Sequence, residues 1–258
     1  MSSKRRPTAF LFCRSARFLA AAAVIPLAAC ATGSQARSVK TTDFLGEYRS
    51  LLKPGQSGEE LLVYRNPSAN WAGYKKVLLE PVTLWKDKDW KLSSDEKKDL
   101  QKLVDSFQDT LRKKLAADYE LVEKPDAGVL RIQTAITNTQ RANTPLKVAT
   151  KAVPFPYGTG GSYLWTFITG KPPFVGEISM ELLIKDAATG ELLSASADRR
   201  VGADTVVAGE SLNTEYLNSW GDVKYSLTFW SDEMVYRLCM LRGATGCVEP
   251  KKGLSLPS

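Results

Sequence analysis

A hairpin pattern in the C-terminal half of the chain constrains the fold more than any other feature. Over 177–185, the apolar residues Ile178, Met180, Leu182 and Ile184 alternate with the polar residues Glu177, Ser179, Glu181 and Lys185. This period of two is typical of a strand with one buried face. A turn over 186–190 ends in glycine and leads into a second run over 192–201. The pattern predicts two antiparallel strands joined by a short turn.

Two amphipathic segments predict long helices that cover this sheet. Ser93 and Glu96 have capping-box spacing, and the helix that follows is expected to reach about Ala117. One helical stripe carries its apolar residues: Leu100, Leu103, Val104, Phe107, Leu111 and Leu115. A second helix is predicted from Ser219 to near Gly243. Its apolar face holds Val223, Leu227, Trp230, Met234 and Leu238. We interpret both stripes as core rather than as ligand sites.

Three further strands are predicted over 77–82, 119–123 and 129–137. The first is almost wholly apolar, which favours a central strand buried on both faces. The element order predicts an α+β fold: an antiparallel or mixed sheet of about five strands with both helices packed on one side. This order resembles the small α/β domains of some envelope lipoproteins, such as the curli-secretion lipoprotein and activators of penicillin-binding proteins. The likeness is one of element order alone and implies no function.

The N-terminus has the organisation of an exported, lipidated protein. Basic residues precede an apolar run of about 12 residues, whereas a membrane-spanning helix needs roughly 20. The sequence Leu27-Ala28-Ala29-Cys30 resembles the lipobox of bacterial lipoproteins. That resemblance implies cleavage before Cys30, and acylation of its thiol and of the new amine. Ala31 then resembles the pattern exported to the outer membrane. We expect a lipid-anchored protein that faces the periplasm, with inner-membrane retention as the alternative.

Removal of this signal peptide, residues 1–29, changes the charge balance. The full chain has a net charge of +7, but the leader holds five basic residues and no acidic one. The mature chain then has 30 basic and 28 acidic residues, a net charge of +2. Nothing in this balance favours a nucleic-acid partner. The small polar composition over 30–42 predicts a lipidated flexible tether. One domain over 43–248 and a C-terminal tail over 249–258 complete the expected organisation.

Cysteine and histidine usage narrows the chemistry. Cys13 leaves with the leader and Cys30 takes lipid, so Cys239 and Cys247 remain. In an oxidising compartment they favour a disulfide; two free thiols, or Cys239 as a small buried apolar residue, are the alternatives. The chain contains no histidine, which removes histidine-dependent nucleophiles and zinc sites. We expect no catalytic residue, no metal and no cofactor.

The segment over about 141–176 is the candidate interaction site. From 127 to 176 the chain has five basic residues and no acidic one, and prolines and glycines interrupt regular structure. Tyr163, Trp165 and Phe167 share one face of a short strand predicted over 162–169. With Lys171, they are the predicted partner-binding residues, suited to a partner protein or to an anionic membrane or glycan surface. The alternative is an extra strand folded over the domain's own core.

Three blocks of sequence carry a family resemblance. They lie at 44–55 (FLGEYRSLLKPG), 61–67 (LLVYRNP) and 74–82 (YKKVLLEPV), and Asp198-Arg199-Arg200 supports them. They resemble the bacterial lipoprotein family labelled domain of unknown function 3313 over most of the mature chain. The family has no known activity, substrate or catalytic residue, so the resemblance implies an envelope location and nothing more.

The sequence therefore predicts a lipid-anchored envelope protein and leaves its activity open. The first hypothesis is a non-catalytic binding or adaptor module that docks onto an envelope protein partner. The second is a histidine-free cell-wall hydrolase with two convergent buried carboxylates about 5–9 Å apart. The third is a carrier of lipid or of a small molecule, which would need a deep apolar cavity.

Overall fold

The computed structural model describes residues 34–85, 92–143, 168, 175–202 and 220–250. Within them the chain forms one sheet of nine strands and two long α-helices. The strands are β1 Ser34–Gln35, β2 Lys53–Pro54, β3 Leu62–Arg65, β4 Lys76–Leu79, β5 Thr83–Leu84, β6 Glu120–Leu121, β7 Val129–Gln140, β8 Glu177–Asp186 and β9 Leu192–Val201. The helices are α1 Ser94–Leu115 and α2 Gly221–Leu241, and two 3-10 helices span Asp43–Leu51 and Trp71–Gly73.

The sheet is mixed, in the order β2-β3-β9-β8-β7-β4-β6, with β1 also on β9 and β5 also on β7. β4 pairs in parallel with β6 and β7, as does β5 with β7, and the other pairs are antiparallel. The predicted α+β class is confirmed, but the sheet is larger than the expected five strands. The additional strands are only two to four residues long. Such strands are too short to show a period of two.

The centre of the sheet is the predicted hairpin and its neighbour β7. β8 and β9 pair over nearly their whole length, from Glu177 opposite Val201 to Lys185 opposite Leu192. β7 continues to Gln140, three residues beyond the predicted end, because it stays paired with β8 to Glu177. These three strands form the frame on which both helices pack.

Both helices lie on one face of the sheet, as predicted. Ser93 caps α1 through a capping box with Glu96, which satisfies amide groups that have no partner inside the helix. The predicted apolar stripe of α1 is buried apart from Leu103, which is partly buried against the same core. All five predicted core residues of α2 are buried. Gly243, at φ 70°, ends the helix in the left-handed region that favours glycine.

The strand predicted over 77–82 differs from expectation. β4 ends at Leu79, and its burial alternates: Val77 and Leu79 are buried, whereas Lys76 and Leu78 are half-buried. The prediction of burial on both faces is wrong, because only the side that carries Val77 and Leu79 faces the helices.

The chain just after the predicted lipid attachment site is part of the sheet. β1 pairs with β9 through Ser34 opposite Val201 and Gln35 opposite Arg200, and the buried Ala36 donates its amide proton to the Arg199 carbonyl. The 3-10 helix that follows covers the sheet face opposite the helices, where Leu45 is fully buried. From residue 34 onward the segment predicted as a flexible tether is therefore ordered. Neither described helix has the length and hydrophobicity that a bilayer crossing requires.

Candidate functional site

Strand β9 carries two buried charges toward the helices. Its residues alternate between the two faces of the sheet, so Asp198 and Arg200 lie opposite Met180 and Ile178 of β8, on the helix-covered side. Both charged residues are almost completely buried, at 3% and 4% exposure. Arg199 between them faces the other way and pairs with Glu177 at 2.6 Å. Buried charges of this kind need partners, because the loss of hydration is costly.

Asp198 is a hydrogen-bonding centre for four segments of the chain. Its Oδ1 accepts from Gln35 Nε2 at 2.7 Å and from the Leu61 amide at 3.3 Å. Its Oδ2 accepts from Trp230 Nε1 of α2 at 2.7 Å. Burial raises the pKa of this carboxyl, against the opposing effect of the hydrogen bonds from Trp230 and Gln35. The carboxylate thus ties β1, the start of β3 and helix α2 to β9.

Arg200 lies beside this centre and against α2. Its guanidinium carbon is 3.7 Å from the centre of the Phe229 ring, in cation–π geometry. Burial lowers the pKa of Arg200, and the charge of Asp198 opposes that effect. The two side chains therefore form a buried pair of opposite charges next to an aromatic ring.

The loop before β3, which carries Glu59 and Glu60, closes the region around Asp198 and Arg200 from the solvent side. Arg65 contacts both carboxylates of this loop, at 2.5 Å from Glu59 and 3.3 Å from Glu60. From α2, Arg237 donates to the Gly58 carbonyl and pairs with Glu233 at 2.6 Å. The loop is thus held both by its own strand and by the helix.

The two loop glutamates have opposite pKa shifts. Burial raises the pKa of Glu60, and the charge of Asp198 acts in the same direction. Burial also acts to raise the pKa of Glu59, but hydrogen bonds from the Gln56 amide and from Arg65 outweigh it, and the pKa is lowered. Glu59 is therefore the carboxylate that Arg65 stabilises, and Glu60 is the one that most readily keeps a proton.

These residues surround a cavity of about 270 Å³, which we call the α2 cavity. Its apolar wall is formed by Met180, Leu182, Phe229, Trp230 and Met234. Its polar wall is formed by Gln35, Ser57, Gly58, Glu59, Glu60, Asp198, Arg200 and Glu233. Together with Arg65 and Arg237, the polar wall has four carboxyl groups and three guanidiniums. The excess of carboxyl groups favours retention of a proton or acceptance of a cation.

The hydrogen bonding of Asp198 bears on what this arrangement can do chemically. Both of its oxygens accept from protein donors, as described above, so the carboxylate is held in place by three other segments of the chain. A general acid or base must instead reach the substrate atom whose proton it moves. Glu60 is held less tightly than Asp198, since its distance to Arg65 is 3.3 Å. Among the described residues, no group of three or more cysteine or acidic side chains is placed to hold a metal ion.

The opposite face of the sheet buries a further carboxylate. Glu181 of β8 is fully buried under the N-terminal segment, where it accepts from the Thr42 amide at 2.5 Å and from its hydroxyl at 2.8 Å. Burial raises the pKa of Glu181, and the hydrogen bonds from Thr42 partly offset the shift. The period of two over 177–185 predicted a strand with one buried face, the side of Ile178, Met180, Leu182 and Ile184. The side that carries Glu181 is buried as well, because residues 42–51 cover it.

The predicted site residues lie partly outside the described structure. Cys30 and the partner-binding candidates Tyr163, Trp165, Phe167 and Lys171 are outside the described residues. Ile168, the described residue within the strand predicted over 162–169, is helical and 70% exposed. Cys239 and Cys247 are joined in the predicted disulfide.

The α2 cavity was not predicted from the sequence, although a signal for it exists. Asp198 and Arg200 lie on the same face of β9 as Ser194 and Ser196, and all four are opposite apolar residues of β8. Charged residues at inward positions of a strand indicate a buried polar cluster. The contributions of Gln35 and Glu60 depend on tertiary contacts and leave no comparable pattern.

The mixed sheet, the two helices on one of its faces and the cavity beneath α2 define an α+β domain. The chain belongs to the family described as protein of unknown function (DUF3313), whose model matches residues 40–234. This confirms the resemblance found in the sequence blocks. No curated protein matches the sequence.

Solved structures show distant similarity. Two PelC dodecamer structures from Paraburkholderia phytofirmans share 11% and 12% identity with the chain, each with a TM-score of 0.33. The matches cover 71% and 70% of this chain and 97% and 96% of PelC. A DUF4136 family protein from Bacteroides thetaiotaomicron shares 10% identity at a TM-score of 0.29, over 67% of this chain and 95% of that protein.

Proposed function

We propose that the protein is a lipid-anchored module of the bacterial outer membrane that faces the periplasm and acts by binding rather than by catalysis. Its anchor is Cys30 in the Leu-Ala-Ala-Cys motif, and its partners are membrane lipid and an envelope protein. The observation that carries binding over catalysis is that both oxygens of Asp198, the most buried carboxylate of the α2 cavity, accept hydrogen bonds from protein donors. The role of Asp198 is to join segments of the fold.

The anchor is tested by changing Cys30→Ser in cells supplied with labelled palmitate. We expect the variant to accumulate as an unprocessed precursor without label, because the thiol that would carry the lipid is absent. The control is Cys239→Ser, which should still take up label. Persistence of the label in the Cys30→Ser variant would contradict the proposal.

The binding role is tested by cross-linking in intact cells, with and without Trp165→Ala. If Trp165 anchors a partner, the change should weaken the interaction by about 2 kcal/mol or more. It should also leave the unfolding free energy of the isolated domain nearly unchanged. A loss of roughly 3–5 kcal/mol of stability would instead assign Trp165 to the core.

The α2 cavity favours a second candidate function, the carrier of a small molecule. An apolar wall beside an excess of carboxylate suits a ligand with an apolar body and a cationic head. Hexylammonium, hexanol and hexanoate are matched probes of equal chain length, and calorimetry should show binding in that order. Leu182→Phe, which fills the cavity, should abolish binding while the protein stays folded. Equal binding of all three probes would rule out this recognition.

The histidine-free hydrolase is tested directly on peptidoglycan. The purified domain should release no soluble fragments, because the α2 cavity positions Asp198 for structural hydrogen bonds. Fragment release that is lost in Glu60→Gln but retained in Ser57→Ala would establish carboxylate catalysis and overturn the binding proposal.

A further inference from the structure

One end of the sheet brings together parts of the chain that are far apart in sequence. Ser34 lies opposite Val201, Val201 opposite Glu177, and Glu177 opposite Gln140. These four residues form a single row across β1, β9, β8 and β7, which we call the terminal row. At about 4.8 Å between neighbouring strands, the row spans roughly 14 Å.

The N-terminus of α2 lies at the same end. The Gly176 amide donates to Asp222 Oδ2 at 2.8 Å, and the Gly202 amide donates to the Gly176 carbonyl at 2.8 Å. A side chain at Gly202 would collide with Asp222, since an added Cβ would lie 2.1 Å from its Cγ. These contacts join Gly176 and Gly202, which adjoin the terminal row, directly to the start of α2.

The distance from this surface to the lipid attachment site is limited by the chain itself. Ser34 is four residues after Cys30. A fully extended chain spans at most about 3.6 Å per residue, so the Cα atoms of Cys30 and Ser34 are no more than about 14 Å apart. β1 is fixed to the sheet by backbone pairing and by the hydrogen bonds that Gln35 makes to Asp198 and to the Glu59 carbonyl. No long flexible segment is left to let the domain turn away from its anchor.

We infer that the terminal row is the membrane-facing end of the domain and that the lipid bilayer surface is what covers it. The inference rests on the proposed acylation of Cys30. An acylated Cys30 lies at the headgroup layer, and the connection of about 14 Å from Cys30 to Ser34 is shorter than the domain. Strands β8 and β9 then run away from the membrane, and their turn at 187–190 lies about 30 Å farther out, at 3.4 Å per residue over β8.

The charges at this end are compatible with an anionic headgroup layer. The carboxylate of Glu177 is paired with Arg199 at 2.6 Å and accepts from Asn138 at 3.2 Å. The carboxylate of Asp222 accepts from the Gly176 amide and lies in the first turn of α2, where the helix dipole stabilises a negative charge. Both negative charges are therefore offset within the protein.

The described ends of the candidate partner-binding segment also lie at this surface. β7 reaches the terminal row at Gln140, and Val175 precedes Glu177 of the same row. The segment between them therefore leaves and re-enters the described structure beside the bilayer.

The orientation is tested with single fluorophores on the full-length lipidated protein. Gln140→Cys labels the terminal row, and Ala188→Cys labels the far turn of the same sheet; both positions are exposed. The native cysteines do not compete, because Cys239 and Cys247 form a disulfide and Cys30 carries lipid. Each protein is inserted into vesicles of phosphatidylethanolamine and phosphatidylglycerol that contain lipid with a nitroxide headgroup.

We expect the label at 140 to be quenched at least about threefold more strongly than the label at 188. A flexible insertion of 20 Gly and Ser residues before Ser34 should bring the ratio close to one, because such a chain has a root-mean-square length of about 25 Å. Equal quenching at both sites in the unmodified protein would overturn the inference alone. If mass spectrometry of the N-terminal peptide finds no lipid on Cys30, the proposed anchor and this inference both fail.

Discussion

The two faces of the sheet are covered in different ways. The face toward α1 and α2 buries a large apolar cluster with long helices, including fully buried Leu100, Leu111 and Ile132. The opposite face buries a small cluster of five residues under the N-terminal segment: Leu45, Leu183, Leu192, Ala195 and Ala197. It also buries the carboxylate of Glu181, which Thr42 satisfies by hydrogen bonds.

The two faces of the sheet are therefore stabilised by different interactions. On the helix face, the area of apolar surface removed from water is the main contribution. On the N-terminal face the alanines of β9 bury little area each, so attachment of the segment depends more on hydrogen bonds and on the protonation of a buried acid. We therefore expect the N-terminal face to be the weaker and the more sensitive to pH.

The largest expected effect compares two fully buried leucines, one on each face. Leu111→Ala in α1 should lower the unfolding free energy by about 3–5 kcal/mol, because the helices and the sheet cannot close the cavity. Leu45→Ala in the 3-10 helix should cost about 2 kcal/mol, since a short segment over small side chains can collapse. Urea unfolding measures both. Equal losses would contradict the difference between the two faces.

The next effect concerns the buried polar centre of the helix face. Asp198→Asn should lower the unfolding free energy by about 2–3 kcal/mol. The NH₂ group of the new side chain would face one of the donors that Asp198 now accepts from, and Arg200 would lose its buried counter-charge. Trp230→Phe is the matched control, since it removes one donor to Asp198 and keeps an aromatic ring. Thermal and denaturant melts should rank Asp198→Asn as the more damaging. The reverse order would show that Asp198 is not the centre of the cluster.

The smallest effect is the pH dependence of the N-terminal face. The pKa of Glu181 is raised in the folded protein, so above its ordinary value of 4.5 the folded state holds the proton more tightly than the unfolded state. The stability that this contributes is present at low pH and is lost as the pH rises through the raised pKa. Relative to Glu181→Gln, the wild type should therefore be most stable at acid pH.

Denaturant unfolding at several pH values between 4.5 and 7.5 checks this prediction. Thr42→Val is the companion variant, because it removes a hydroxyl donor that favours the ionised form of Glu181. It should raise the pKa of Glu181 further and extend the loss of stability to higher pH. Parallel profiles for the wild type and Glu181→Gln would show that Glu181 contributes no pH dependence.

The sequence predicted the elements that carry their own period. Strand β9 begins and ends as predicted, and α1 starts at its capping box, because the alternation and the cap are local features. The strands that were not predicted, β1, β2, β3 and β5, are two to four residues long and exist because a neighbouring strand pairs with them. Their backbone hydrogen bonds leave no side-chain pattern. The docking of residues 34–42 was missed for the same reason, since small polar residues are compatible with both a tether and an edge strand.

The α2 cavity was harder to predict than the fold. Asp198 and Arg200 occupy inward positions that an alternation argument can find, but their partners come from three other segments. Gln35 and Asp198 are 163 residues apart in sequence, and Leu61 and Asp198 are 137 apart. Contacts at such separations depend on topology, which a single sequence with short edge strands does not specify. The disulfide was predictable because its two cysteines are eight residues apart and flank a glycine-containing loop.

The pairing of β1 with β9 also sets the order in which the domain is completed. Residues 34–65 are synthesised before the rest of the sheet, yet β1 has no strand to pair with, and β3 pairs only with the short β2, until β9 follows more than a hundred residues later. Closing so long a loop is entropically costly, and folds rich in such contacts form slowly. β1 can therefore join the sheet only after β9 has been synthesised.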